Sequence, residues 1–294
     1  MPIVTANGVR LFYEEAGAPD APPLVLIMGW GGDHTAWALQ MPALGADHRV
    51  IALDNRGAGQ SEVPEGPYTI PGMAADVVGL MDALGVARAH ICGASMGGMI
   101  AQELALRHPE RVRTLQLHCT APIIDGYGRF LIDTLLAVKA RGDREENVRA
   151  IMPWILCRKT MVERPEFIRF WIERGLTYPY PITFEGLSRQ ADAIKVHDTL
   201  ARLGEIRMPT LLTTGTEDIL VPPCPPASCT RASRGRSWSR SATRDTCTSS
   251  SRRRSSTRSA WSSCESTAGP DGPRPVGQRR AVDLATAGPG SSQM

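Results

Sequence analysis

Gly93-Ala94-Ser95-Met96-Gly97 sets a serine among small residues, directly after an apolar run at 90–92 and directly before a segment of helical spacing. That context suits a nucleophile. A sharp strand-to-helix turn lifts the hydroxyl above the strand end, and the new helix aims its unpaired N–H groups at the charge developing on an attacked carbonyl. Such a turn needs small neighbours, which Gly93, Gly97 and Gly98 supply. Ser95 is therefore the candidate nucleophile, and the N–H of Met96 is a candidate oxyanion donor. The bland alternative is a glycine-rich structural turn. Met28-Gly29-Trp30-Gly31-Gly32 closes an earlier apolar run at 24–28. Its glycines let the backbone approach the site, so the N–H of Trp30 is the second candidate donor, with a plain glycine loop as the alternative. Gly215-Thr216-Glu217-Asp218 follows the apolar run at 210–213. A carboxylate at the end of that strand is placed to orient a histidine and stabilise its imidazolium. Asp218 is the preferred candidate; Glu217 beside it and Asp125 after the preceding strand are the alternatives, and the bland reading of Asp218 is a cap or loop charge.

The elements that must position these groups alternate between short apolar runs and helix-period segments, as in an α/β sheet protein. Residues 3–5 and 10–14 read as a hairpin turned at Asn7-Gly8. Residues 24–28, 49–53, 90–92, 113–118 and 210–213 read as buried strands, and 70–84 and 96–107 carry helical spacing. From 125 to about 203 the strands stop, and helices are expected at 130–139, 145–156, 165–174 and 185–193. This predicts a helical lid inserted over the strand ends. The expected division is 1–124 and 206–223 as core, 125–205 as lid, and 224–294 as a separate tail. Trp154, Phe167, Phe170, Trp171, Tyr178 and Tyr180 concentrate in the lid. They could line an apolar pocket or simply hold the lid helices together.

The stretches MGWGGD, DNRGAGQS, GASMGGMIAQELALRHPERV and GTEDILVPP are similar to those of the α/β-hydrolase superfamily, within its group of lidded esterases, enol-lactonases and cofactor-free haloperoxidases. The resemblance covers roughly the first three quarters of the chain. It implies a mostly parallel sheet flanked by helices, a Ser-His-acid site, and no metal or organic cofactor. Many relatives carry His-Gly where this chain has Met28-Gly29, a change that leaves a main-chain donor untouched. The loop from Asp54 to Ser61 resembles the family's D-x-R-G-x-G-x-S segment, which is mainly structural. The elbow is similar to that of 3-oxoadipate enol-lactonases, making a lactone plausible. Serine there argues against the dehalogenases and epoxide hydrolases of this fold, which use Asp.

The resemblance also implies a catalytic histidine after the acid, in a Gly-His turn, and here the chain departs from it. All 6 histidines, at 34, 48, 90, 108, 118 and 197, precede Asp218. His34 lies in a polar loop beside Asp33, His90 and His118 in strands, and His108 at a helix end before Pro109; each reads as structural. After Pro223 the chain becomes Ser, Arg, Thr and Pro with isolated Trp and Cys, and shows neither period. Read one base out of register, with G- and C-rich codons, residues 244–250 become G-H-V-Y-F-F. The preceding tail becomes P-A-R-E-L-H-A-R-I-P-G-A-E-L-V, and the following part E-P-A-E-E-F-N. The genetic code permits that histidine without requiring it. The order of helix, strand, Gly-His and acidic helix start matches what the resemblance implies. A missing base, or two extra, near Pro223 is therefore expected, and with it the loss of the last strand and final helix.

Bulk composition narrows the remaining classes. With 294 residues and 42% apolar side chains, the chain can bury a large core. Of 33 basic and 30 acidic residues, 12 and 4 lie from Cys224 onward, which leaves 21 against 26 in the body. The Arg-rich tail has no periodic or aromatic-interleaved pattern, so a nucleic-acid arm is not favoured. No signal pattern opens the chain and no apolar run is long enough to span a bilayer, so no membrane association and a cytoplasmic location are expected. Cys92, Cys119 and Cys157 read as ordinary buried thiols, and no cysteine has metal-ligand spacing with histidine. The expectation is a serine hydrolase that cleaves a small carboxylic ester or lactone through an acyl-enzyme on Ser95. Because the base is absent from the written sequence, and losing a triad histidine costs about a millionfold in another serine hydrolase, this chain is expected to be impaired. A non-catalytic pseudo-hydrolase that binds a small apolar ligand, or an acyltransferase or perhydrolase using the same residues, is the alternative.

Overall fold

The computed structural model describes residues 2–222 and the backbone of 239–243. Eight strands form one sheet: β1 Ile3–Ala6, β2 Val9–Ala16, β3 Pro23–Ile27, β4 Arg49–Leu53, β5 Ala89–Ala94, β6 Val112–His118, β7 Thr210–Gly215 and β8 Ser239–Thr243, in the order β1-β2-β4-β3-β5-β6-β7-β8. The opening hairpin turns at Asn7-Gly8, both with positive φ, and β1–β2 and β2–β4 are antiparallel. Every pairing from β4 to β8 is parallel. The expected α/β-hydrolase architecture is present.

Alternation along the strands separates two cores. Val25, Ile27, Ile51, Leu53 and Ile91 face α2 (Ile70–Ala83) and α3 (Met96–Arg107), joining Met73, Val77, Leu80, Ile100 and Leu104. Leu24, Leu26, Val50, Ala52, Cys92 and Ala94 face the other way, onto Trp37 of a 3-10 turn and Met41 of the short α1 (Met41–Leu44). Strands buried on both faces read as continuous apolar runs, which is why they were legible in the sequence.

After β6 come α4 (Gly126–Arg141), α5 (Arg144–Ile155), α6 (Arg158–Glu163), α7 (Pro165–Thr177) and α8 (Phe184–Lys195). The 165–174 and 185–193 expectations fall within α7 and α8, and 130–139 within a longer α4. Asp125 starts that helix by accepting from the N–H of Gly128. The sequence reading passed over α6, which has six residues and no side-chain cap. Entry and exit of the helical segment meet: Ile123 bridges Asp198, and the N–H of Thr199 donates to the carbonyl of Pro122 at 2.9 Å.

One expectation about the end of the chain needs correction. The last strand was expected to be missing, yet backbone at 239–243 pairs in parallel with β7, from Leu211↔Ser239 to Gly215↔Thr243. Main-chain pairing asks only for N–H and C=O groups, so a strand can form without an apolar period. The final helix, the Gly-His register and the rest of the 224–294 tail lie outside the described residues.

Below the sheet end, Arg56 is clamped on Asp76 at 2.6 and 2.5 Å, and Asp76 also accepts from Asn7. Asp76 is almost wholly buried, so removing it strands a charge. Asp76→Ala is expected to lose about 3 kcal/mol in urea unfolding, against near-neutral change for Glu65→Ala on the exposed loop.

Candidate active site

The chain runs from β3 to β4 on one side and then crosses to β5 on the other. Loops leaving the carboxyl ends of β3 and β5 therefore diverge, and the crevice between them is where open α/β sheets hold their ligands. Ser95 lies at that place. It follows β5 with φ 54 and ψ −121, a strained left-handed conformation for a residue with a Cβ. Its N–H donates to the carbonyl of His118 at 2.9 Å. Its carbonyl accepts from Gly98 N–H at 2.9 Å and from the Thr120 hydroxyl at 2.7 Å. The strain is thus held by both flanking elements, and the side chain is left partly exposed.

Glycine is required around it by contact. A Cβ on Gly97 would stand 2.1 Å from the Ile27 carbonyl oxygen, and one on Gly93 2.3 Å from that of Gly97. A Cβ on Gly29 would meet Ser95 Cβ at 2.8 Å and Oγ at 3.3 Å. The loop after β3 therefore lies against the serine. Among the described residues neither Met96 N–H nor Trp30 N–H donates to a protein acceptor, whereas Gly31 N–H and the Trp30 indole are both engaged. Met96 is fully buried at the first turn of α3.

Beyond β7, Glu217 is exposed while Asp218 is 5% exposed. Oδ1 of Asp218 accepts from the N–H groups of Leu220 and Val221 at 3.0 and 2.8 Å. Its Oδ2 is buried with no hydrogen-bond partner among the described residues. Burial raises its pKa above the usual carboxylate value, against the two backbone donors that lower it. A cap would use the first oxygen; the idle second one is what a partner donor would meet. Asp125 caps α4 instead.

The histidines are occupied elsewhere. His34 Nδ1 meets Asp54 Oδ1 at 2.7 Å, and its ring packs on Phe12. Burial lowers its pKa, but the Asp54 hydrogen bond and the charges of Asp54, Asp33 and Glu14 raise it overall. His90 contacts the Thr114 hydroxyl at 2.7 Å and His118 that of Thr213 at 2.5 Å, and desolvation pushes both down to about 4. His197 is buried beside Thr199, and His108 is at the end of α3. Asp33, His34 and Asp54 do bring potential metal-ligand atoms within 4.8 Å of one another. Asp54 is already spent on the His34 and Gln60 N–H groups and on the His34 ring, so the cluster reads as a structural hub.

The aromatics of the helical segment pack on each other: Phe167 and Phe170 against Trp171, and Tyr178 against Tyr180. A cavity of about 270 Å³ is lined by Glu14, Ala16, Thr35, Ala38, Met41, Pro42 and Arg174, with neither Ser95 nor those aromatics in its wall. The sequence reading missed Gln190, a buried polar residue on α8 that reaches the loop after β3. An uncharged glutamine on an amphipathic helix carries no signal of that contact.

Residues 22–140 match the α/β-hydrolase-fold family. A protein of Azorhizobium caulinodans named as the carbamate hydrolase RutD is 35% identical over 222 residues, which cover 76% of this chain and 82% of that one. The enol-lactonase of Burkholderia xenovorans LB400 superposes with a TM-score of 0.74 at 28% identity, over 90% of this chain and 98% of the other. A thermophilic esterase from Thermogutta terrifontis gives 0.69 at 26% identity, over 82% of this chain and 89% of its own.

Asp218 supplies a test of what this geometry costs. An acid whose pKa is raised in the folded state contributes stability below its unfolded value near 3.8 and loses it as pH rises through the folded value. Asp218→Asn keeps the oxygen that accepts from Leu220 and Val221 and removes the buried charge. It is expected to melt higher than the parent at pH 7, with the gap closing toward pH 4 in thermal unfolding followed by circular dichroism.

Proposed function

The chain belongs to the α/β-hydrolase family, and from that premise we propose that it is a serine hydrolase of small carboxylic esters or lactones, with Ser95 as nucleophile. One observation carries the reading: a serine at φ 54, held between β6 and α3, with the loop after β3 pressed against its side chain. Backbone strain persists only where its surroundings over-determine it, and it collects at reactive sites.

In this mechanism Ser95 Oγ attacks the carbonyl carbon, its proton passes to a base, and the negative oxygen is held by the N–H groups of Met96 and Trp30. The alcohol leaves with a proton returned by the base, and water then releases the acid. Asp218 orients the base through Oδ2 and balances its charge. The helices α4–α8 act as the lid. The enol-lactonase and esterase likenesses support an acyl-oxygen substrate; the RutD likeness supports a carbamate, whose carbonyl would be attacked by the same groups. No histidine follows His197, so the written chain lacks the base, and the out-of-frame reading of 224–294 supplies it. The absence also supports a second reading, a pseudo-hydrolase that holds a small apolar ligand without turning it over.

Three outcomes are expected. Resequencing the source DNA across codons 221–228 recovers a base that restores P-A-R-E-L-H-A and, later, G-H-V-Y-F-F; a frame confirmed as written leaves the ancestry and removes the activity claim. On the chain as written, exogenous imidazole raises ester hydrolysis saturably by about 10- to 100-fold, part of what general-base catalysis supplies. Ser95→Ala retains only the linear, uncatalysed imidazole reaction. A Ser95→Ala protein matching the parent at every imidazole concentration would remove Ser95 from the mechanism.

A further inference from the structure

The loop Gly29–Gly32 has three glycines in four residues, and Gly31 sits at φ +72, so the chain itself does little to hold the Trp30 peptide in one orientation. The restraint comes from α8. Gly31 N–H donates to Gln190 Oε1 at 3.0 Å, and the Trp30 indole N–H donates to the Leu187 carbonyl at 2.8 Å. The two bonds bracket Trp30, one through its side chain and one through the next peptide, and its own N–H is left without a protein acceptor among the described residues.

Gln190 is itself fixed at both ends. It has 0% exposure, and its Nε2 donates to the Arg56 carbonyl at 2.8 Å, while the Arg56 side chain is clamped on Asp76. One turn earlier, Gly186 rests on Gly57 so closely that a Cβ would stand 2.1 Å from the Gly57 carbonyl oxygen. Thus α8 seats on the loops that leave both β3 and β4. A wholly buried amide with both ends bonded has a single rotamer and a single register.

We propose that Gln190 is a positioning residue for the oxyanion site: it holds the Gly31 peptide so that the Trp30 N–H is presented to the carbonyl oxygen attacked by Ser95. This rests on the reading of Ser95 as nucleophile. It makes the last lid helix a fixed wall of the site, and any opening of the lid is left to the segments before it. It acts at a distance from the substrate, through the Gly31 peptide alone.

Labelling by diethyl 4-nitrophenyl phosphate tests this without requiring turnover. Ser95 Oγ bonds to phosphorus, 4-nitrophenolate leaves with the bonding electrons, and the serine proton goes to solvent; the phosphoryl oxygen occupies the oxyanion position. The maximal labelling rate and the half-saturating concentration are read by mass spectrometry, with melting curves on the same proteins. Gln190→Met is expected to lower the maximal rate about 10- to 100-fold, with half-saturation unchanged within about twofold, as for a misplaced catalytic group. Gln190→Glu, which retains the acceptor for Gly31, is expected to recover most of that loss. If Gln190→Met gives no cooperative melt, Gln190→Asn decides alone: it keeps a buried amide, withdraws the acceptor from the Gly31 N–H, and should lower the maximal rate about tenfold. A folded Gln190→Met or Gln190→Asn protein labelled at the parental rate overturns the positioning role while leaving the nucleophile in place. A parent chain never labelled at Ser95, even with imidazole supplied as the base, overturns the nucleophile reading, and this inference with it.

Discussion

Backbone touches backbone at the carboxyl ends of β3 and β5, and the rest of the site depends on that approach. Gly97 lies over the Ile27 carbonyl and Gly29 over Ser95, at separations where a single methyl group would collide. The contact brings the first turn of α3 beside the loop after β3, so two uncommitted N–H groups come from elements far apart in sequence. It also forces Ser95 into its left-handed conformation. The cost, of order 1–3 kcal/mol for such a residue, is borne by hydrogen bonds on both sides of the turn.

Charge is placed on the opposite principle, by burial. Asp218 has one oxygen satisfied by two N–H groups and one buried without a partner among the described residues, and its neighbour Glu217 is in solvent. Leaving a buried oxygen idle destabilises a fold, and Asp218 bears that cost. The histidines show the contrary case. His34, His90 and His118 each have a fixed partner, and burial keeps His90 and His118 neutral down to about pH 4. They serve the strands and loops that carry them.

A hub of buried polar groups joins the two halves of the site. Asp54 collects the His34 and Gln60 N–H groups, Asp76 holds Arg56, and the Arg56 carbonyl takes the amide of Gln190. Through this chain the D-x-R-G-x-G-x-S loop, structural by expectation, connects the sheet to α8 and so to the loop after β3. The helical segment and the core share hydrogen bonds here, and α8 carries six buried residues where α7 has none.

The sequence alone carried the positions of most strands and the residue types gathered at the candidate site. Apolar runs marked β3, β4 and β5 because these strands are buried on both faces, whereas β7 is half-buried along most of its length, and Gly-x-Ser-x-Gly marked the elbow because only small residues fit that turn. The helical segment was legible from its period, except for α6, which is too short to have one. Three things were left to tertiary structure, each because it depends on what lies across space. Asp218 was preferred to its neighbour Glu217 on position alone, and burial is what separates them. Backbone at 239–243 joins the sheet although its residues have no strand pattern, since edge pairing with β7 needs only main-chain groups. Gln190 looks like any surface glutamine until α8 lays it against Gly31, 159 residues away.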